Sequence, residues 1–158
     1  MRYFLSLGSN LGDREKNLAR ALSFLVEEGV KIFKTSSIYK TQPVDIPSEY
    51  WFYNQVIEVQ AAAGPKDFLI LIKKIEKKMG RKAEARKANR IIDIDILLAE
   101  GKVIRTEELE IPHPRMEKRN FVLIPLMEIS PDAVHPTLGE SIRDLWKKSH
   151  DDSIVKRL

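Results

Sequence analysis

Apolar residues recur with two different periods along this chain, and the switches between them mark its elements. Arg2 to Leu7 reads as a strand that enters a Gly8-Ser9-Asn10-Leu11-Gly12-Asp13 turn. Leu18, Ala21, Leu22 and Leu25 then recur at the spacing of one helix face. Gly29 stops that helix, since glycine takes the left-handed backbone of a helix end without steric cost. Val30 to Tyr39 and Phe52 to Val59 are rich in β-branched and aromatic residues on either side of a Pro43 to Ser48 loop, which predicts a strand pair. Pro65 suits a first helical turn, Phe68, Leu69, Ile72, Ile75 and Met79 follow at helical spacing, Gly80 closes the helix, and Ile91 to Ala99 makes a fourth strand.

The order β-α-β-β-α-β is that of an α+β, ferredoxin-like fold, with two helices on one face of an antiparallel sheet. A C-terminal α/β extension follows. It begins with a turn at Glu100-Gly101-Lys102, continues as a partly helical stretch from Glu117 to Glu128 broken by Pro125, and ends in a short helix from Ser141 to Lys148. No repeat or linker interrupts the chain, so the extension is expected to pack against the same core and residues 1–158 to form one domain.

Composition narrows the class. In 158 residues, 43% are hydrophobic and 32% charged, which suits a globular core and excludes disordered and collagen-like chains. The absence of cysteine removes disulfides, thiolate nucleophiles and Cys-held zinc or iron–sulfur centres together. No apolar run approaches the ~18 residues of a membrane span, and Met1-Arg2-Tyr3-Phe4-Leu5 lacks the layout of a signal peptide, so a cytoplasmic protein without membrane partners is expected. The net charge of +4 is concentrated in one place. Residues 1–72 balance at eight basic and eight acidic side chains, residues 73–90 carry nine basic against two acidic, and residues 91–158 carry ten against thirteen. Such a basic segment suits phosphates; its plain alternative is a solvated helix end and polar loop.

The residues that carry chemistry begin with Asp93 and Asp95. Two apart on a strand, they share a face about 7 Å from one another, while Ile92, Ile94 and Ile96 pack behind. Like charges on one face repel, so a cation is expected to compensate them, and magnesium takes one or two carboxylates plus phosphate oxygens and water. Arg81 and Arg90 bracket the loop leading to this strand, and guanidinium forks beside a carboxylate-held metal are a recurring apparatus of phosphoryl transfer. On the third strand Phe52 and Asn54 share a face and Tyr53 points oppositely, an aromatic plane beside an amide that can hold a flat polar heterocycle or simply pack in the core. Phe121 adds a second ring if the fold brings it close. His113, between two prolines, is placed to meet a phosphate or to face water; His135 and His150 read as water-exposed. The Gly8 to Asp13 turn lacks the Gly-Lys-Ser/Thr ending of a phosphate-binding loop and reads as structural, with Asp13 near the helix N-terminus.

Taken together, these residues resemble the 6-hydroxymethyl-7,8-dihydropterin pyrophosphokinase family. The resemblance runs through Gly8-Ser9-Asn10-Leu11-Gly12, Ser37 to Pro43, Phe52-Tyr53-Asn54, Ile75-Glu76 with Met79-Gly80-Arg81, Arg90 to Leu98, and Ile111 to Met116 with Arg119 and Phe121-Val122-Leu123. It implies transfer of a pyrophosphoryl group from ATP to the hydroxymethyl of a reduced pterin, with release of AMP. It implies two magnesium ions on Asp93 and Asp95, with Arg81, Arg90 and His113 on the triphosphate. No dedicated base is evident in the sequence, and Asp95 is the candidate proton acceptor. By the same resemblance the pterin lies between Phe52 and Phe121, read by Asn54 and by backbone around Thr41 and Val44, with Arg119 nearby and with Glu76 and Ile96 toward the nucleotide. A monomer that binds no nucleic acid is expected. The basic loop departs from the family pattern: Arg86-Lys87-Ala88-Asn89-Arg90 stands where Arg-Trp-Gly-Pro-Arg is frequent, and Ala83 where a second arginine is usual. The 81–90 segment is expected to order over the two substrates as a lid. Two rivals remain at this level: a single-stranded nucleic-acid-binding module of the same topology, and a palm-like nucleotidyltransferase that releases pyrophosphate.

Overall fold

The computed structural model describes residues 1–44, 49–81 and 89–158; residues 82–88 of the expected 81–90 lid and most of the Pro43 to Ser48 loop lie outside them. The strands and helices follow as β1 (Arg2–Ser9), α1 (Arg14–Glu27), β2 (Lys31–Thr35), β3 (Tyr39–Thr41), β4 (Phe52–Gln60), α2 (Pro65–Lys78), β5 (Asp93–Ala99), β6 (Ile104–Arg105), β7 (Glu110–Ile111), α3 (Asn120–Ile129), α4 (Ile142–Lys148) and β8 (Val155–Arg157). A 3-10 turn at Met116–Lys118 precedes α3. The main sheet runs β5-β1-β4-β3-β8, with β2 also on β4, and every pairing is antiparallel. This is the split β-α-β arrangement the order of elements predicts, with β1 and β4 at its centre.

Both helix ends follow from local chemistry. The Asp13 carboxylate accepts a hydrogen bond from the Lys16 N–H at 3.1 Å and so caps α1, and Gly80 closes α2 at a φ of +97°. The apolar stripes of the two helices, including Leu18, Ala21 and Leu25 from α1 and Phe68, Ile72 and Ile75 from α2, join Leu5, Leu7, Ile57, Val59, Ile94 and Ile96 from the sheet in one core.

Four expectations change. The Val30 to Tyr39 strand is two strands, because Ser36 breaks the ladder: the Val56 N–H donates to the Ser36 hydroxyl at 3.0 Å rather than to a carbonyl, and Gln55 Nε2 takes the Ser36 carbonyl. Pro125 does not break its helix, since Val122, Leu123, Pro125 and Leu126 are all buried and packing holds the segment where propensity would end it. The extension divides between two cores: Ile111 joins the first, with Ile104 and Leu109 packed beside it, as expected. Its later part instead covers the other face of the sheet, where α3 and α4 build a second cluster with Val56, Leu97 and Leu98. Finally, β8 and the β6–β7 hairpin add pairings that the sequence reading left out. Among the described residues no helix is long and apolar enough to cross a membrane.

Candidate active site

Alternation along three adjacent strands sets the floor of a cavity on the sheet face that α3 covers. Phe52, Asn54 and Val56 of β4 project to that face, and Val56 joins the α3 cluster; Asp93, Asp95 and Leu97 do the same on β5. Between them runs β1, whose Gly8 pairs with Asn54 on one side and Asp93 on the other. A Cβ at Gly8 would lie 2.6 Å from Asn54 Oδ1, so a glycine here is required by close approach. Asn54 Nδ2 donates to the Thr41 hydroxyl, which locks the amide against the end of β3.

The cavity, about 420 Å³, brings together Thr41, Val44, Phe52, Asn54, Arg119 and Phe121 at its apolar and amide end, and Arg81, Arg90, Asp93, Asp95 and His113 at its charged end. Gln42, Lys73, Pro114 and Arg115 also line it. These four the sequence reading missed; Lys73, one turn before Glu76 on α2, was the most legible of them. Two named residues do not reach the wall. Ile96 is 4% exposed and packs in the first core. Glu76, 3% exposed, sits behind the charged end. His135 also differs from expectation: it is buried, its Nδ1 accepting the Leu138 N–H at 3.2 Å, while His150 is exposed.

Charge is distributed unevenly between the two aspartates. Arg81 Nη1 lies 2.7 Å from Asp93 Oδ1 and Arg90 Nη1 lies 3.0 Å from Asp93 Oδ2, so both oxygens of Asp93 are held by guanidinium groups. Arg81 Nη1 also reaches Glu76 Oε2 at 2.6 Å, and the same oxygen accepts the Ile94 N–H at 2.8 Å. Glu76 thus ties the end of α2 to the β5 backbone between the two aspartates. Burial pulls the Arg81 pKa down, but the Asp93 and Glu76 carboxylates more than offset this and the net shift is upward. Asp95 has no such ion pair among the described residues, and desolvation, followed by the charges of Asp93 and Glu76, pushes its pKa up to about 8.

The His113 pKa is lowered, first by burial. Its Nδ1 lies 2.8 Å from the Pro114 carbonyl, a contact that assigns the proton to Nδ1 and leaves Nε2 as the free position of the neutral ring. Phosphate oxygens in the cavity would favour its protonation. The His113 backbone N–H donates to the Leu97 carbonyl at 2.9 Å, which hangs this segment on β5. At the other end of the cavity, Asp151 of the C-terminal tail accepts from the Asn120 N–H at 2.8 Å and so anchors the first turn of α3, the turn that carries Phe121.

The donor set fits magnesium delivered with a triphosphate. Asp93 and Asp95, side by side on the cavity wall, are the oxygen donors that a hard ion takes together with phosphate oxygens and water.

A split β-α-β sheet brings paired strand carboxylates, two arginines, aromatic rings and an amide into one cavity, parts that recur in the enzymes of phosphoryl transfer. The comparisons with known proteins agree. Residues 4–131 match the model of the 7,8-dihydro-6-hydroxymethylpterin-pyrophosphokinase family, and the chain belongs to that family. It is 40% identical over 141 residues to 2-amino-4-hydroxy-6-hydroxymethyldihydropteridine pyrophosphokinase of Aquifex aeolicus, covering 89% of this chain and 88% of that protein. It is 42% identical over 151 residues to folic acid synthesis protein fol1 of Pneumocystis carinii, covering 96% of this chain and only 20% of that protein. A crystal structure of Plasmodium falciparum HPPK-DHPS shares the fold with a TM-score of 0.72 at 20% identity, over 93% of this chain and 45% of that one. The chain therefore spans a fifth of the fol1 protein and under half of the HPPK-DHPS chain.

Two outcomes follow from this geometry. Gly8→Ala pushes Asn54 from its seat and should weaken pterin binding by about tenfold or more, as a cost of 1.4 kcal/mol or above, with little change for a magnesium-bound ATP analogue; calorimetry of each ligand checks this. The second concerns pH. The Asp95 pKa is higher in the folded chain than in the unfolded one, so metal-free stability is complete below about pH 4 as far as this group is concerned and falls as pH rises through about 8. Asp95→Asn should flatten that loss in thermal unfolding scans between pH 6 and pH 9, whereas an unchanged profile contradicts the assignment.

Proposed function

We propose that this chain transfers a pyrophosphoryl group from ATP to the hydroxymethyl of 6-hydroxymethyl-7,8-dihydropterin in folate synthesis, giving AMP and the pterin diphosphate. The observation that carries the reading is the single cavity in which an aromatic and amide end meets an arginine and carboxylate end. Residues 1–158 are proposed as one such domain, working as a monomer in the cytoplasm, and two magnesium ions are proposed on Asp93 and Asp95. When bound, magnesium supplies charge neutralisation on the triphosphate.

The chain's own residues supply the rest. Phe52 and Phe121 flank the flat ring, and Asn54, fixed by Thr41 and by the space over Gly8, presents a donor and an acceptor to its edge. The floor shared by β4 and β5 then holds the hydroxymethyl and the phosphates in one cavity, so that orientation rather than collision limits the reaction. Arg81 and Arg90 enter from opposite ends of the 81–90 segment and carry the positive charge that a transferring phosphoryl group needs most in the transition state. His113 adds a proton-bearing Nε2 once phosphate is near. Asp95, on the cavity wall beside Asp93, is proposed to take the proton of the attacking hydroxyl once bound cations hold it as a carboxylate.

Neither rival gains support from an observation here. A strand-face binder of single-stranded bases would not set two aspartates in the same cavity as its aromatic rings, and a palm-like nucleotidyltransferase has no need of the Asn54 amide locked beside Phe52. Phosphorus NMR of a reaction with ATP and the hydroxymethyl dihydropterin should show AMP and a pterin diphosphate in equal amounts; ADP or free pyrophosphate as the stoichiometric product refutes the reading.

A further inference from the structure

Asn10 stands in the turn between β1 and α1, outside the cavity wall, and is 3% exposed. Its amide joins two segments that lie 40 and 80 residues further along the chain. Nδ2 donates to the Tyr50 carbonyl at 3.3 Å and to Asn89 Oδ1 at 2.9 Å, and Oδ1 accepts the Arg90 backbone N–H at 2.7 Å. The Asn10 backbone N–H donates in turn to the Arg90 carbonyl at 3.1 Å. Both backbone polar groups of Arg90 therefore end on one residue. From that fixed backbone the Arg90 side chain reaches Asp93 Oδ2.

Other groups hold the neighbouring structure, which isolates what Asn10 does. The local fold of the turn is kept by Asn17, whose Nδ2 donates to the Ser9 hydroxyl and to the Leu11 carbonyl. The approach to β4 is kept by Arg14, whose Nη1 donates to the Trp51 carbonyl at 2.8 Å and whose guanidinium lies 3.9 Å over the Tyr53 ring. Asn10 alone among these reaches Arg90. The task needs a donor and an acceptor on one short side chain: aspartate would set an oxygen against the Tyr50 carbonyl and Asn89 Oδ1, and alanine would strip the Arg90 N–H of its acceptor.

We propose that Asn10 is a positioning residue for the reaction: it fixes the Arg90 backbone, and thereby the reach of its guanidinium toward Asp93 and the phosphates, against the chain at Tyr50. The proposal rests on the functional reading above. A long side chain on an unanchored backbone samples many positions, and misplacement by about 1 Å is enough to cost a large part of a rate.

A double-mutant cycle decides it. Asn10→Ala should lower kcat by about tenfold or more with pterin KM changed by less than about threefold. The same substitution should cost almost nothing further in an Arg90→Ala background, and its full factor in an Arg81→Ala background. Calorimetry of a magnesium-bound nonhydrolysable ATP analogue reads the same cycle without turnover, so a chain that binds the analogue yet forms no pterin diphosphate fails the functional reading while the cycle still decides Asn10. Asn10→Ser, which keeps a hydroxyl near the Arg90 N–H, serves if the alanine variant does not fold. Losses that multiply equally in both arginine backgrounds, or a loss confined to pterin KM, overturn the proposal.

Discussion

The carboxylate of Asp93, on the first residue of β5 with its side chain only 22% exposed, is a charge largely withdrawn from water that calls for cationic partners. Two guanidinium groups answer that need from opposite directions, one from the end of α2 and one from the residues just before the strand. Much of the charged end follows from this constraint. Buried Glu76 gives Arg81 a second anchor, and its carboxylate also accepts the N–H of Ile94, the residue between the aspartates. The arginines that a triphosphate would attract are thus already gathered, and they neutralise the carboxylate that would otherwise repel it.

The rest of the molecule supplies a platform for this cluster. The central strands β1 and β4 bury apolar side chains toward α1 and α2, which frees their other face to carry Gly8, Phe52 and Asn54. The second layer, α3 with α4, completes the cavity with Phe121 and Arg119 and is tied down by the Asp151 carboxylate at its first turn. The C-terminal extension is therefore part of the site, packed on the site's own face of the sheet.

Much of this was legible in the sequence, for identifiable reasons. Helical and strand periods are strong in α1, α2, β4 and β5, and residues at spacing two, such as Asp93 with Asp95 and Phe52 with Asn54, fall on one face whatever the tertiary context. What was not legible depends on contacts between distant residues. Ser36 interrupts a strand through a hydroxyl that meets Val56, twenty residues away. Pro125 stays within a helix because a second core holds it, and β8 is too short and too charged to show a strand pattern. Gly8 and Asn10 looked like ordinary turn residues, yet Gly8 is in the sheet beneath Asn54 and Asn10 holds Arg90. In each case the side chain's meaning lies in a partner that periodicity cannot supply.

In the proposed reaction Arg81 is shared between the Asp93 carboxylate and incoming phosphate. Manganese binding followed by electron paramagnetic resonance, in the wild type and in Arg81→Ala, with and without a nonhydrolysable ATP analogue, tests it most directly. Opposite signs are expected: Arg81→Ala should bind the bare ion more tightly, because a competitor for Asp93 is gone, and should bind the ion with the analogue less tightly, because a phosphate partner is gone. A change of the same sign in both conditions, or an equal tightening in Lys73→Met, which removes a nearby charge that is not paired with Asp93, would contradict it.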